Sequence, residues 1–286
     1  MDTTHWHRPG DVDAFLARAG SFLRSRTARH TLMLTVTEAL RTRGPHTYGD
    51  GIPEFGVLQR DGAVRAAFLR TPPHRLQLTE LSAEEADALA AHLLDLGRAL
   101  PGVQGERATA AAFAQSWARR TGSSATVGER QRLYRLGELT VPQPVPPGRA
   151  RLAGPADRAQ LARWYVDFCT ELGEVHLQDP DGWARARVAG GQATFWETPD
   201  GTPVSMACRS PIVAGQSRVV GVYTPPPLRG RGYAGAATAE VSRAVAADGA
   251  EEVLLFTDLA NPTSNALYQR IGYRPVADFA VYDFTA

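Results

Sequence analysis

Between Val219 and Ala247 a strand, a proline hinge, a turn of alternating arginine and glycine, and a helix follow one another, and no other stretch limits the possible folds as much. Val219-Val220-Gly221-Val222-Tyr223-Thr224 is short, rich in β-branched and aromatic residues and closed by Pro225, which predicts a buried strand. From Ala234 onward Ala234, Ala237, Val241, Ala244 and Val245 recur at helical spacing, and Gly249 is placed to end the helix. The turn between them has little side chain, so backbone N–H groups at the helix N-terminus are expected to stay open. Such a terminus with Arg229 and Arg231 beside it is suited to an anion, most naturally a pyrophosphate.

More than one motif fits this turn. Gly230-x-Gly232-x-x-Gly235 satisfies the dinucleotide fingerprint, and Asp258 follows the apolar run Val253 to Phe256. A Rossmann turn, however, passes from strand directly into its first glycine, whereas Pro225, Pro226, Pro227, Leu228 and Arg229 intervene here. The chain after the turn is also too short to complete a doubly wound domain. A Walker A loop needs a lysine, and the chain has none: all 31 basic residues are arginine. A plain glycine-rich turn is the bland alternative. A second segment, Asn261-Pro262-Thr263-Ser264-Asn265-Ala266-Leu267-Tyr268-Gln269-Arg270-Ile271-Gly272-Tyr273, reads as a punctuated helix. Asn261 suits its N-cap, Pro262 its first turn and Gly272 its end. On its own, Tyr268 reads as a core tyrosine.

Taken together, Arg229-x-x-Gly232-x-Ala234 and the segment from Asn261 to Tyr273 resemble two motifs of the GNAT N-acetyltransferases. The resemblance implies acetyl-CoA as cosubstrate, no metal, and acetyl transfer to a primary amine that attacks directly in a ternary complex. It places the pyrophosphate on the N–H groups of Arg229, Gly230, Arg231, Gly232, Tyr233 and Ala234. The pantetheine arm falls to the backbone of Val222 and Thr224 and to Asn261, and an N–H near Val222 or Tyr223 polarises the thioester carbonyl. Tyr268 then faces the sulfur as a general acid. Many of these enzymes keep a glutamate on the central strand, but Arg218 to Thr224 contains no acid. Glu174 and His176, after the first helix of the second half, are the candidate bases; an exposed polar loop is the other reading of both. The resemblance covers Arg151 to Phe284, and the first half by shape alone. A rival of another class is a CoA-sensing or partner-binding module without turnover.

Length and composition set the remaining bounds. The chain has 286 residues, which suits two domains, and a hydrophobic fraction of 43% supports well-formed cores. A net charge of +1 argues against nucleic-acid or membrane-surface partners, leaving a small-molecule or peptide amine as the expected one. The N-terminus lacks a signal-like apolar core, and Cys169 and Cys208 lack metal-like spacing, so a cytoplasmic setting is expected. Either cysteine could be proposed as an acyl carrier, but neither has a base nearby in sequence, and both are read as structural.

Order of elements suggests an α/β (α+β mixed sheet) class with two GNAT-like domains in tandem. Residues 1–141 form a degenerate N-terminal domain, 142–149 a proline-rich linker, and 150–286 the catalytic domain. In the first half, helix is expected over Asp11 to Arg43 with a break at Gly20, and a hairpin turns at Asp61-Gly62. A capped helix is expected from Ser82 to about Leu100, and two strands around Gly128. At the place of the arginine–glycine turn the first half has Leu78 to Glu85, with Glu80, Glu84 and Glu85 and no glycine. Phosphate would be repelled there. In the second half, a helix over Pro155 to Leu172, a hairpin at Asp200-Gly201, and final strands between Tyr273 and Phe284 complete the pattern.

Overall fold

The computed structural model describes residues 5–173 and 179–285. Contacts gather the chain into two units: Met1–Leu133 with Thr257–Asn261 and Val276–Ala286, and Tyr134–Phe256 with Pro262–Pro275. Neither unit is one continuous piece of chain, so this grouping differs from the linear division read at the linker.

The first unit opens with β1 (His5–His7), α1 (Val12–Arg24) and α2 (Thr31–Arg43). Asp11 caps α1 by accepting from the N–H of Ala14 at 2.8 Å. The expected break at Gly20 is absent. Gly20 is buried inside α1, and the helices part at Ser25, whose N–H turns back to Ser21 and Phe22. A mid-helix glycine costs only about 1 kcal/mol, which burial of this face outweighs. Then come β2 (Glu54–Arg60) and β3 (Ala63–Arg70), joined by Asp61 at φ 50° and Gly62 at φ 77°, both left-handed as the favoured hairpin turn requires.

After β4 (Leu76–Leu78), α3 (Ala83–Asp95) starts with the expected capping box between Ser82 and Glu85. It stops short of Leu100, because Gly97 at φ 66° ends it with Arg98 N–H bonded to Leu93 O. β5 (Gly102–Glu106), α4 (Arg107–Thr121) and β6 (Ser124–Leu136) follow. β6 is one strand where two were expected. Gly128 does not turn the chain; a Cβ there would lie 2.7 Å from Asp283 Oδ2, so close approach explains the glycine. In this unit β1 to β5 lie in chain order, with Phe279–Asp283 antiparallel to Glu106–Gly102 on β5. Phe68, Leu89, Leu93, Phe113 and Trp117 fill the core.

The second unit holds β7 (Arg149–Leu152), α5 (Arg158–Glu171), α6 (Pro180–Ala189), β8 (Ala193–Glu197), β9 (Pro203–Arg209), β10 (Gln216–Tyr223), α7 (Tyr233–Ala247), β11 (Glu252–Asp258) up to Phe256, and α8 (Pro262–Ile271). Tyr273–Thr285 is a single final strand, β12, rather than several. The sheet order is β11-β10-β9-β8-β7, with the β10–β11 pair parallel and the others antiparallel. β10 begins before Val219: Ser217 is fully buried, and its hydroxyl is satisfied by Ser210 O at 2.8 Å. α7 presents Gly235, Ala236, Ala237, Thr238 and Ala239 inward. Its cluster includes Val219, Leu255, Tyr268 and Tyr273, while a separate aromatic cluster joins Trp164, Trp183, Phe195 and Tyr223. The mixed α/β class expected from the sequence is what the chain forms.

Candidate active site

The central strand of the second unit is interrupted twice. Antiparallel register with β9 slips between Val220, opposite Cys208, and Tyr223, opposite Met206. Gly221 lies in this bulge at φ 57°, a conformation that costs side-chain-bearing residues energy. On the other edge, the parallel register with β11 runs from Gln216 opposite Glu252 to Arg218 opposite Leu254 and ends there. Yet β10 continues to Tyr223. The β10–β11 ladder therefore ends before the C-terminal half of β10, and among the described residues no further pairing of the two strands is seen.

Buried side chains hold the end of the strand. Ser205 on β9, fully buried, donates to Tyr223 O at 3.0 Å, and its oxygen is 2.9 Å from Thr224 Oγ1. Tyr223 O thus points toward β9. Thr224 O accepts from Arg229 Nε at 2.8 Å. The carbonyls of Tyr223 and Thr224 are thus both taken by side chains. The Tyr223 phenol is pushed up by burial and by Asp167 and Glu171 on α5, with Arg229 opposing.

The turn that follows leaves its donors open. Leu228 and Arg229 N–H close a short 3₁₀ turn onto Pro225 and Pro226, and the next bonded N–H is that of Ala236, to Gly232 O at 3.0 Å. Gly232 caps α7 at φ 84° with no side-chain cap bond. Among the described residues, Gly230, Arg231, Gly232, Tyr233, Ala234 and Gly235 N–H find no acceptor. A Cβ at Gly230 would meet nothing within 4 Å, so the turn is open on that side. Pro146 and Pro142 of the linker stand 3.7 and 3.5 Å from the Cβ positions of Gly232 and Gly235, which packs the linker against the turn. The donor set and open space fit a pyrophosphate.

The corresponding turn of the first unit is closed. Leu81 N–H is taken by Thr109 Oγ1 at 3.0 Å, Ser82 N–H by Glu85 Oε2 at 2.8 Å, and Glu85 N–H by Ser82 Oγ at 3.1 Å. The cavity beside its parallel β4–β5 pair, lined by His30, Gln77, Thr79 and Gln104, is about 20 Å³, room for roughly one water.

Tyr268 lies on α8, with its ring 6.1 Å from that of Tyr273 in an edge-to-face pair. Burial pushes its phenol up to about 12, and its hydroxyl has no hydrogen-bond partner among the described residues. Tyr273, by contrast, is bonded to Ser242 Oγ at 2.7 Å. Asn261 precedes α8, donates its N–H to Asp258 O at 3.1 Å, and groups by contacts with the first unit, not with the turn. Glu174 and His176 lie outside the described residues. Cys208 is fully buried with its thiol pushed up to about 11, and Cys169 is buried too, which suits packing rather than nucleophilic roles. Among the described residues no group of side chains could hold a metal ion, and no helix is long and apolar enough to cross a membrane.

Two features of this site were not read in the sequence. Ser205 gave no signal, since a serine in a strand pattern is unremarkable. Gly221 did give one, a glycine inside an apolar strand, which marks bulges.

The fold is that of the GNAT acetyltransferases. Residues 206–280, which hold the central strand, the turn, α7 and α8, match the model of the FR47-like protein family. A GCN5-related N-acetyltransferase from Sphaerobacter thermophilus superposes with TM-score 0.62 at 17% identity, covering 97% of this chain and 94% of its own. A GNAT-family acetyltransferase from Colwellia psychrerythraea gives TM-score 0.59 at 11% identity over 100% of both chains. A tandem GNAT protein from the clavulanic acid biosynthesis pathway gives 0.58 at 12% identity, over 97% and 98%. No curated protein sequence matches the chain.

Proposed function

We propose that the second unit transfers an acetyl group from acetyl-CoA to a primary amine. The observation that carries this reading is the end of the β10–β11 ladder at Arg218, together with a helix N-terminus whose donors from Gly230 to Gly235 find no acceptor among the described residues. Acetyl-CoA supplies an activated acyl group. The N–H groups of Gly230 to Ala234 hold its pyrophosphate, and Val222 pairs with the arm where β10 has no β11 partner. The Val222 N–H stabilises negative charge on the carbonyl oxygen as the amine adds. Tyr268, protonated throughout the neutral range, gives its proton to the departing sulfur. An amine of pKa near ~10 must shed a proton first, and Glu174 and His176 are the proposed acceptors of it. The first unit is a shape-only relative with no cofactor site, because its turn donors are already bonded.

The test is calorimetric titration with CoA followed by an amine panel scored for acetylation by mass spectrometry. Binding at one site per chain with acetylation of at least one amine supports the enzyme. Binding without turnover across the panel favours a CoA-sensing module, the reading that the absence of an acid on Arg218 to Thr224 supports.

A further inference from the structure

Arg229 belongs to the turn, and its side chain is engaged by three groups outside it. Its Nε donates to Thr224 O at 2.8 Å, its guanidinium carbon lies 6.0 Å from the centre of the Tyr223 ring, and its Nη2 is ion-paired with Glu171 Oε2. Glu171 is the last residue of α5, so the pair ties that helix to the end of β10. Both partners remain accessible, with side chains 47% and 40% exposed. Only the Nη end is contested, since the Nε bond to Thr224 O is independent of Glu171.

We infer that Glu171 and the cofactor's pyrophosphate compete for Arg229. The inference rests on the acetyl-CoA reading proposed above. A pyrophosphate seated on the N–H groups of Gly230 to Ala234 brings more negative charge within reach of this guanidinium than one carboxylate offers, and phosphate geometry suits its fork. Drawing Arg229 to the phosphate releases Glu171. Its carboxylate then stands at the end of β10, with Asp167 on the same helix, as a pair of anions that attract an ammonium group. The cofactor thereby frees an acidic side chain to face a cationic acceptor. Because the pair is half exposed, its hold on Arg229 is modest, and the effect on affinity is correspondingly small.

The experiment is CoA titration by calorimetry on the full chain and on Glu171→Gln, Arg229→Gln and the double variant, with melting temperatures recorded for each. Glu171→Gln is expected to bind CoA about two- to fivefold more tightly, and Arg229→Gln more weakly. In the Arg229→Gln background the Glu171 change is expected to have no effect. Raising the salt concentration should shrink the gain. Unchanged or weaker CoA binding by a folded Glu171→Gln overturns the inference, as does an equal gain without Arg229. If Glu171→Gln fails to fold, Glu171→Asp, which keeps the charge but shortens its reach, serves in its place, with a smaller gain expected. No CoA binding by the unaltered chain is a different result, and it overturns the acetyl-CoA reading itself.

Discussion

Ser205 Oγ donates to the carbonyl oxygen of Tyr223 at 3.0 Å across the point where β9 and β10 lose register. A buried side chain thus ties the end of β10 to β9 where the register has slipped. Ser205→Ala leaves Tyr223 O and Thr224 Oγ1 short of a partner in a buried setting, a loss of about 1–3 kcal/mol. The expected outcome is a melting temperature lower by roughly 2–8 °C, with CoA affinity reduced as well. Unaltered melting and affinity would show that the bulge holds its shape without Ser205.

The contrast between the two turns predicts one CoA site per chain. Gly232→Asp combines a left-handed backbone, φ 84°, with a carboxylate among the phosphate donors, and should abolish CoA binding. Gly122→Asp, at φ 73° at the end of α4 with nothing within 4 Å of its Cβ position, carries similar strain and should leave binding intact. Calorimetry reads both, and two equivalent sites, or binding that survives Gly232→Asp, would contradict the assignment.

Among the described residues Tyr268 has no hydrogen bond to lose, so Tyr268→Phe should leave the melting temperature unchanged or slightly raised. A thiolate of pKa about 8.5 leaves without much help, so general acid catalysis should be worth the low end of its usual range. The expected fall in kcat is roughly tenfold to a few hundredfold with CoA affinity hardly moved. Full turnover in the variant removes Tyr268 from the chemistry.

Stability of the second unit should fall in acid. Glu197, its side chain 3% exposed, is paired with Arg151 and Arg149, and Asp157 is paired with Arg151. Hydrogen bonds from Arg151 hold both carboxyls below their ordinary values of 4.5 and 3.8. In that range the unfolded chain binds more protons than the folded one, so the contribution is complete above about pH 5 and is lost as pH falls through the depressed values. Urea midpoints measured from pH 7 down to pH 3 should decline below about pH 4.5, and Glu197→Gln should be less stable at pH 7 but less sensitive to acid. A midpoint that does not respond to acid would refute this.

Residues 1–141 expressed alone lack Phe279–Asp283, which pair with Glu106–Gly102 along β5. That edge would be left open, with Tyr282 and Phe284 missing from the apolar cluster beside it. Aggregation or a broad, low-temperature transition is expected, read by size-exclusion chromatography and calorimetry. A monodisperse, cooperatively melting fragment would show that the first half closes its own sheet.

Local chemistry made most elements legible. Asp61-Gly62 and Asp200-Gly201 could only turn, Ser82 and Glu85 could only cap, and the run from Pro225 to Ala234 left a helix terminus bare whatever surrounded it. Where two local signals conflicted, packing decided: Gly20 looked like a break and is buried on the inward face of α1, and Gly128 is a place where Asp283 comes close. The strand from Tyr273 is likewise unbroken at Pro275, since proline can occupy a strand position where no ladder bond is required.

The sequence by itself determined the turn with its open donors, the α/β class and the resemblance that both imply, because these depend on residues adjacent in the chain. Tertiary structure alone decided what surrounds that turn. The end of the β10–β11 ladder at Arg218, the bond from Ser205 to Tyr223, the hold of Glu171 on Arg229, and the grouping of Val276–Ala286 with the first unit all join residues far apart in sequence. Such contacts depend on how strands are ordered and registered, and a strand's own residues specify which face is apolar but not which strand lies beside it.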